Sequence, residues 1–173
     1  MKLGAKELRV SSPSEADLKG IKRREIYIIC DNVLDTYNIG SIFRLADAVA
    51  AKKIYLCGQS ETPPNSRIAK AAVGTEKWVP WQYERTANDA VAKIKNQISN
   101  IKIVAIEQSK KSIDYRKADY REPVAFVVGN ETEGLSQEAL KLVDQIVEIP
   151  MFGVNRSLNV MVSLAIVLYR AIR

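Results

Sequence analysis

Five short runs rich in β-branched residues punctuate the chain: IYIICD at 26–31, KKIYLCG at 52–58, IKIVAIE at 101–107, PVAFVVG at 123–129 and QIVEIP at 145–150. Each has the length of a strand and is apolar over most consecutive positions, the pattern of a strand buried on both faces. Helical periodicity lies between them. Ile39, Ile42, Phe43, Ala46, Val49 and Ala50 recur at helical spacing over 39–51, with Asn38 placed to cap the helix. Ala90, Val91, Ile94 and Ile98 do the same over 86–99, and further helices are expected at 136–144 and about 157–172. RIAKAAVG reads as a short helix stopped by Gly74, WVPW as extended, and 108–121 as a charged excursion. Strands alternating with helices predict an α/β domain over 25–173, a mostly parallel sheet flanked by helices. Residues 1–24 are expected to form a polar arm or a short leading helix, ending in the basic cluster Lys19, Lys22, Arg23 and Arg24.

Composition narrows the chemistry. The 173 residues are 47% hydrophobic, enough for one real core, and the net charge of +6 favours a polyanionic partner. There is no histidine, which removes the usual general base and the Ser/His and Cys/His nucleophile pairs. Cys30 and Cys57, both in apolar runs, are expected to be buried reduced thiols, and no metal site is expected. Neither GxGxxG nor GxxxxGK[ST] occurs. The N-terminus has no apolar core of signal-peptide length, and Ser163 interrupts the most apolar stretch, so a cytoplasmic protein is expected.

In a parallel sheet, ligands bind beyond the C-terminal ends of the strands. Three polar, glycine-containing loops follow strands here: DTYNIGSIFR, GNETEG and MFGVNRSLN. Each has a purely structural reading. Asn38 would cap one helix, GNETEG would be a turn before a helix starting near Ser136, and Ser157 would cap the last helix. Three such loops on one edge of the sheet point together to a ligand site.

With those motifs in order, the chain resembles the SpoU (TrmH-like) branch of the SPOUT superfamily, RNA ribose 2′-O-methyltransferases. The motifs are Asn38, Gly40 and Arg44; then Gly129, Asn130, Glu131 and Gly134; then Ile149, Pro150, Met151 and Gly153 followed by Ser157, Leu158, Asn159 and Val160. The resemblance covers about residues 25–173. It implies a C-terminal trefoil knot, a homodimer, and S-adenosylmethionine bound by Gly129, Asn130, Gly134, Ile149, Met151, Ser157 and Leu158. It implies Arg44 as the central catalytic residue, assisted by Asn38, Glu131, Ser157 and Asn159. RNA, either tRNA or rRNA, would be held by Lys22, Arg23, Arg24, Arg44 and Lys70, with Arg67, Lys110 and Lys111 as further candidates for phosphate contacts. Relatives often carry a glycine near Ala51, and many have Ser at the position of Met161; this chain departs at both. It carries only a short basic arm where some relatives have a separate RNA-binding domain, which leans the expectation towards tRNA. Two other readings stay open at this point: a non-catalytic RNA-binding protein on the same fold, and a SPOUT enzyme that methylates a base.

Overall fold

A computed structural model describes residues 3–172. Two short helices, α1 (Ala5–Val10) and α2 (Glu15–Lys19), precede β1 (Arg24–Asp31). There follow α3 (Thr36–Ala48), β2 (Ala51–Cys57), α4 (Ser66–Ala72), β3 (Trp81–Glu84), α5 (Ala87–Gln97), β4 (Lys102–Ile106), β5 (Ile113–Asp114), β6 (Val124–Val128), α6 (Gln137–Leu140), β7 (Gln145–Glu148) and α7 (Val160–Ala171). The strands form one sheet in the order β3-β2-β1-β6-β4-β7-β5, and every neighbouring pair is parallel. The expected α/β class is therefore met, with every strand ending on the same edge.

Alternation along β1 divides the core. Ile26, Ile28 and Cys30 face one layer with Ile39, Ile42 and Phe43 of α3 and Leu164, Val167 and Leu168 of α7. Tyr27 and Ile29 face the other with Ala90, Val91 and Ile94 of α5 and Ala139 of α6. The central β6 is buried throughout, which is why its sequence is uniformly apolar. Cys30 and Cys57 are free and buried, and burial pushes the Cys30 thiol up to about 12, leaving it inert at neutral pH.

The boundaries correct several expectations. The first helix starts earlier, because Asp35 accepts from the Tyr37 amide and takes the cap; Asn38 lies inside the helix and is buried. The last helix starts at Val160, because Asn159 rather than Ser157 accepts from the Met161 and Val162 amides. Helix α6 is one turn long: Leu142 closes back onto Ala139, and Asp144 turns to accept from the Ile103 amide, bringing the chain into β7. The charged excursion contains the two-residue β5. Next to Ala51, where this chain departs from the motif pattern by lacking a glycine, Ala50 sits at φ 51°, a left-handed conformation costing an L-residue about 1–2 kcal/mol.

Gly40 sets the approach of α4 to α3. A Cβ on it would lie 2.6 Å from both Ala71 Cβ and the Ile68 carbonyl oxygen. Gly40→Ala gains about 1 kcal/mol of helix propensity but incurs about 1–3 kcal/mol of overpacking against backbone. A fall in Tm of about 2–6 °C is expected in a thermal melt; an unchanged or raised Tm would show that α4 moves freely.

Candidate active site

The three motif loops meet beyond the ends of β1, β6 and β7. The first follows β1 into α3. Its register on the second loop is set by Asp31, buried at the end of β1, whose Oδ2 accepts from the Ser136 amide (3.0 Å) and Ser136 Oγ (2.7 Å). The second loop closes on itself. Asn130 and Gly134 exchange backbone bonds of 3.0 and 2.9 Å, while Asn130 Oδ1 accepts from the Thr132 and Glu133 amides. Gly129 makes that closure sterically feasible, since a Cβ there would stand 2.4 Å from the Gly134 carbonyl. Glu107, at the end of β4, accepts from the Leu135 and Gln108 amides and holds the loop from its other side.

A chain of side-chain hydrogen bonds joins the loops. Asn38 Nδ2 donates to Glu131 Oε1 at 2.9 Å, and Asn159 Nδ2 donates to Asn38 Oδ1 at 2.9 Å. Asn159 Oδ1 accepts from the first amides of α7. Glu131 also accepts from the Leu34 and Asp35 amides. Burial pushes the Glu131 carboxyl up, but these hydrogen bonds, that from Asn38 first, outweigh it and hold the group below its ordinary value. Glu131 is an ionised, committed acceptor. With Asn38 only 7% exposed, the relay is partly withdrawn from water and each amide has its two ends occupied.

Next to the relay lies a cavity of about 440 Å³ above the ends of β4, β6 and β7. Glu131 and Asn159 form part of its wall, together with Gly129, Asn130, Gly134, Ile149, Met151, Ser157 and Leu158, so every residue expected to bind a cofactor lines it. Its volume falls in the range of small-molecule sites, about 300–1000 Å³. Apolar walls from Ile106, Val128, Val147, Ile149 and Leu158 face polar groups from Gln108, Asn155 and Ser157. That mixture suits a flat heteroaromatic ring joined to a polar chain.

Arg44 lies outside the cavity on the exposed face of α3, where Tyr37, half exposed, precedes it by two turns. Its guanidinium bonds to no side chain or backbone group among the described residues. Lys70 on α4 is likewise exposed; Lys22 is exposed too, but it precedes β1, at the edge opposite the loops. Arg23 and Arg24 are placed differently. Arg23 donates to the Ala51 and Trp78 carbonyls, and Arg24 pairs with Glu122. Both sit at the start of β1, on the edge of the sheet opposite the loops, and the structure does not bring them to the site.

Asp31, Glu107 and Gln108 were missed by the sequence reading. Gln108 Nε2 donates to the Arg156 carbonyl and pins the third loop to β4. The available signal was their place at strand ends, with a carboxylate as the last residue of an apolar run.

Residues 25–169 match the SpoU rRNA Methylase family. The chain belongs to this family. It is 37% identical over 155 residues to the tRNA (guanosine(18)-2′-O)-methyltransferase of Escherichia coli K12, a match spanning 88% of this chain and 65% of that protein. Among solved structures, the TrmH/SpoU tRNA modifying enzyme of A. aeolicus superposes with a TM-score of 0.79 at 31% identity, covering 96% of this chain and 80% of that one. The SpoU methyltransferase AviRb of Streptomyces viridochromogenes, solved in complex with AdoMet, gives 0.78 at 28% identity, over 94% of this chain and 65% of its own.

Proposed function

We propose that this SpoU-family protein transfers the methyl group of S-adenosylmethionine to a ribose 2′-hydroxyl of RNA. The observation that carries the reading is the Glu131–Asn38–Asn159 relay, which ties a cofactor-sized cavity to the helix presenting Arg44, unpaired among the described residues. Bound in that cavity, S-adenosylmethionine supplies a methyl group on a sulfonium, activated towards an oxygen nucleophile. The protein's task is then positioning. Ile149, Met151 and Leu158 hold the adenine ring, with the backbone around Gly129, Asn130 and Gly134 beside it, while Ser157 and Asn159 orient the reacting groups. Glu131, held ionised by its donors, orients Asn38 and is a poor proton acceptor. Arg44 clamps an RNA phosphate and stabilises the alkoxide developing on the ribose as its proton leaves to water. Lys70, exposed on the helix packed against α3, adds positive charge.

The same reading makes segment 149–159 part of a C-terminal trefoil knot and the active unit a homodimer in the cytoplasm. Exposed apolar surface supports the dimer: Phe152 and Val154 are 94% and 102% exposed, and Val162 and Tyr169 of α7 are also open. Among the described residues, no helix is long and apolar enough to cross a membrane. Val162→Asp is expected to convert a dimer to a monomer in sedimentation; an unchanged sedimentation coefficient would move the interface elsewhere.

The test is transfer of labelled methyl into unmodified tRNA and ribosomal RNA transcripts, followed by digestion to nucleosides. A 2′-O-methylated nucleoside is expected, with tRNA tried first because the E. coli relative is named for it. Label on a base, or none in either RNA, would overturn the proposal.

A further inference from the structure

Cationic side chains differ in whether the fold uses them. On the edge where the strands begin, Arg23 and Arg24 are bound as described, Lys52 pairs with Glu25 at 2.7 Å, and Lys102 pairs with Asp119 at 3.0 Å. Their charge is spent within the fold. Lys110 and Lys111 follow β4, Lys141 lies between α6 and β7, and Arg156 is in the third loop; all four are exposed, and their side chains bond to nothing among the described residues.

These free cations border a groove of about 1080 Å³ that adjoins the cofactor cavity, sharing Glu107, Gln108, Thr132 and Gly134 with it. Lys110, Lys111 and Lys141 line the groove, and Arg156 stands at its Gln108 end. Its floor is apolar, formed by Leu135, Leu140, Val143 and Ile146. Two of the groove's three carboxylates are engaged within the fold. Glu107 accepts from two amides, and Asp144 accepts from Lys95 and the Ile103 amide. Glu133 is the carboxylate left open on the groove. The turn bearing Lys110 and Lys111 is rigid: Ser109 Oγ accepts from the Lys111 amide, and Ser112 Oγ donates to Glu148 at 2.6 Å. A fixed turn presenting two lysines over an apolar floor matches a polyanion whose apolar faces also need cover. A single strand of RNA has both features.

We infer that this groove holds an RNA strand flanking the methylated nucleotide, with Lys110, Lys111 and Lys141 on its phosphates. The inference rests on the proposed methyl transfer to RNA and adds a second contact region to that of Arg44, separated from it by the cofactor cavity. Phosphate contacts raise affinity and salt dependence without selecting sequence.

The experiment compares wild type with the triple variant Lys110→Gln, Lys111→Gln, Lys141→Gln, and with Lys77→Gln on the other edge as control. RNA affinity is measured by anisotropy of a labelled tRNA transcript over a salt series, and S-adenosylmethionine affinity by calorimetry. Each lost contact removes ~0.7–0.9 from the slope of log K against log salt, so the triple variant is expected to lose about two units and roughly tenfold in affinity. Its cofactor affinity and the control's slope stay at wild-type values. A wild-type slope in the triple variant, with wild type methylating RNA, overturns the groove alone. Wild type that binds RNA without salt dependence, or not at all, overturns the groove and the proposed function together.

Discussion

Arg44→Ala is expected to lower methyl transfer by about 10²–10³-fold, the usual effect of removing one charge-stabilising group from a reaction centre. Its cofactor affinity should stay within about twofold of wild type and its melting temperature should not move, because surface changes away from caps and networks cost under about 0.5 kcal/mol. Both halves follow from the same observation. Arg44 bonds to nothing among the described residues and lies outside the cavity, so neither fold nor cofactor depends on it. Yet it stands on the helix whose buried face carries Asn38 into the relay. Arg44→Lys refines the reading. It keeps the charge and loses the planar fork, so activity should fall less than in Arg44→Ala while the KM for RNA rises. Single-turnover kinetics with saturating RNA separate the two contributions. An Arg44→Ala protein with wild-type turnover would remove Arg44 from the mechanism.

Much of this site could be read before the fold was known, for an identifiable reason. Strands buried on both faces announce themselves as continuous apolar runs, and when all are parallel every loop after a strand opens on one edge. The GNETEG and SLN segments therefore had to lie near one another. The role of Asn38 was less accessible. Asparagine is a good cap, so local rules place it at the start of a helix. Asp35, three residues earlier, takes the cap and releases Asn38 to the interior. Its partners lie 93 and 121 residues further along the chain, and no local pattern encodes such a meeting. Arg23 and Arg24 misled for the converse reason. A basic cluster looks available when its acceptors are carbonyls at 51 and 78 and a carboxylate at 122. The sheet order was equally hidden, since periodicity gives strands without saying that β6 lies between β1 and β4.

The relay itself makes the second large prediction. Asn38 is the middle member, donating to Glu131 and accepting from Asn159, so Asn38→Asp reverses the polarity of one end while keeping the shape. The new carboxylate oxygen would stand about where Nδ2 stood, 2.9 Å from Glu131 Oε1. Two carboxylates at that distance resist ionising together, so the pair would hold a proton more tightly and its second ionisation would lie above the ordinary carboxylate range. In the wild type, Glu131 is held below its ordinary value. Its contribution is therefore complete above that ordinary value and lost only as acid carries the pH down through the lowered one. Wild-type cofactor affinity should thus be flat between about pH 6 and about pH 8 as far as this group is concerned. The variant should behave oppositely. At about pH 8 the doubly ionised pair opens the relay and weakens S-adenosylmethionine binding by about 10–100-fold, the cost of a charged hydrogen bond lost in a part-buried site. Towards about pH 6 the shared proton restores a donor and part of the affinity returns. Asn38→Ala supplies the comparison, since it removes the bond without adding a titrating group and should be weak at both pH values. Calorimetric titration of the three proteins at the two pH values decides the matter. If Asn38→Asp and Asn38→Ala lose the same affinity at both, the asparagine contributes shape alone, and the hydrogen bonds joining the three loops do not transmit to the cofactor.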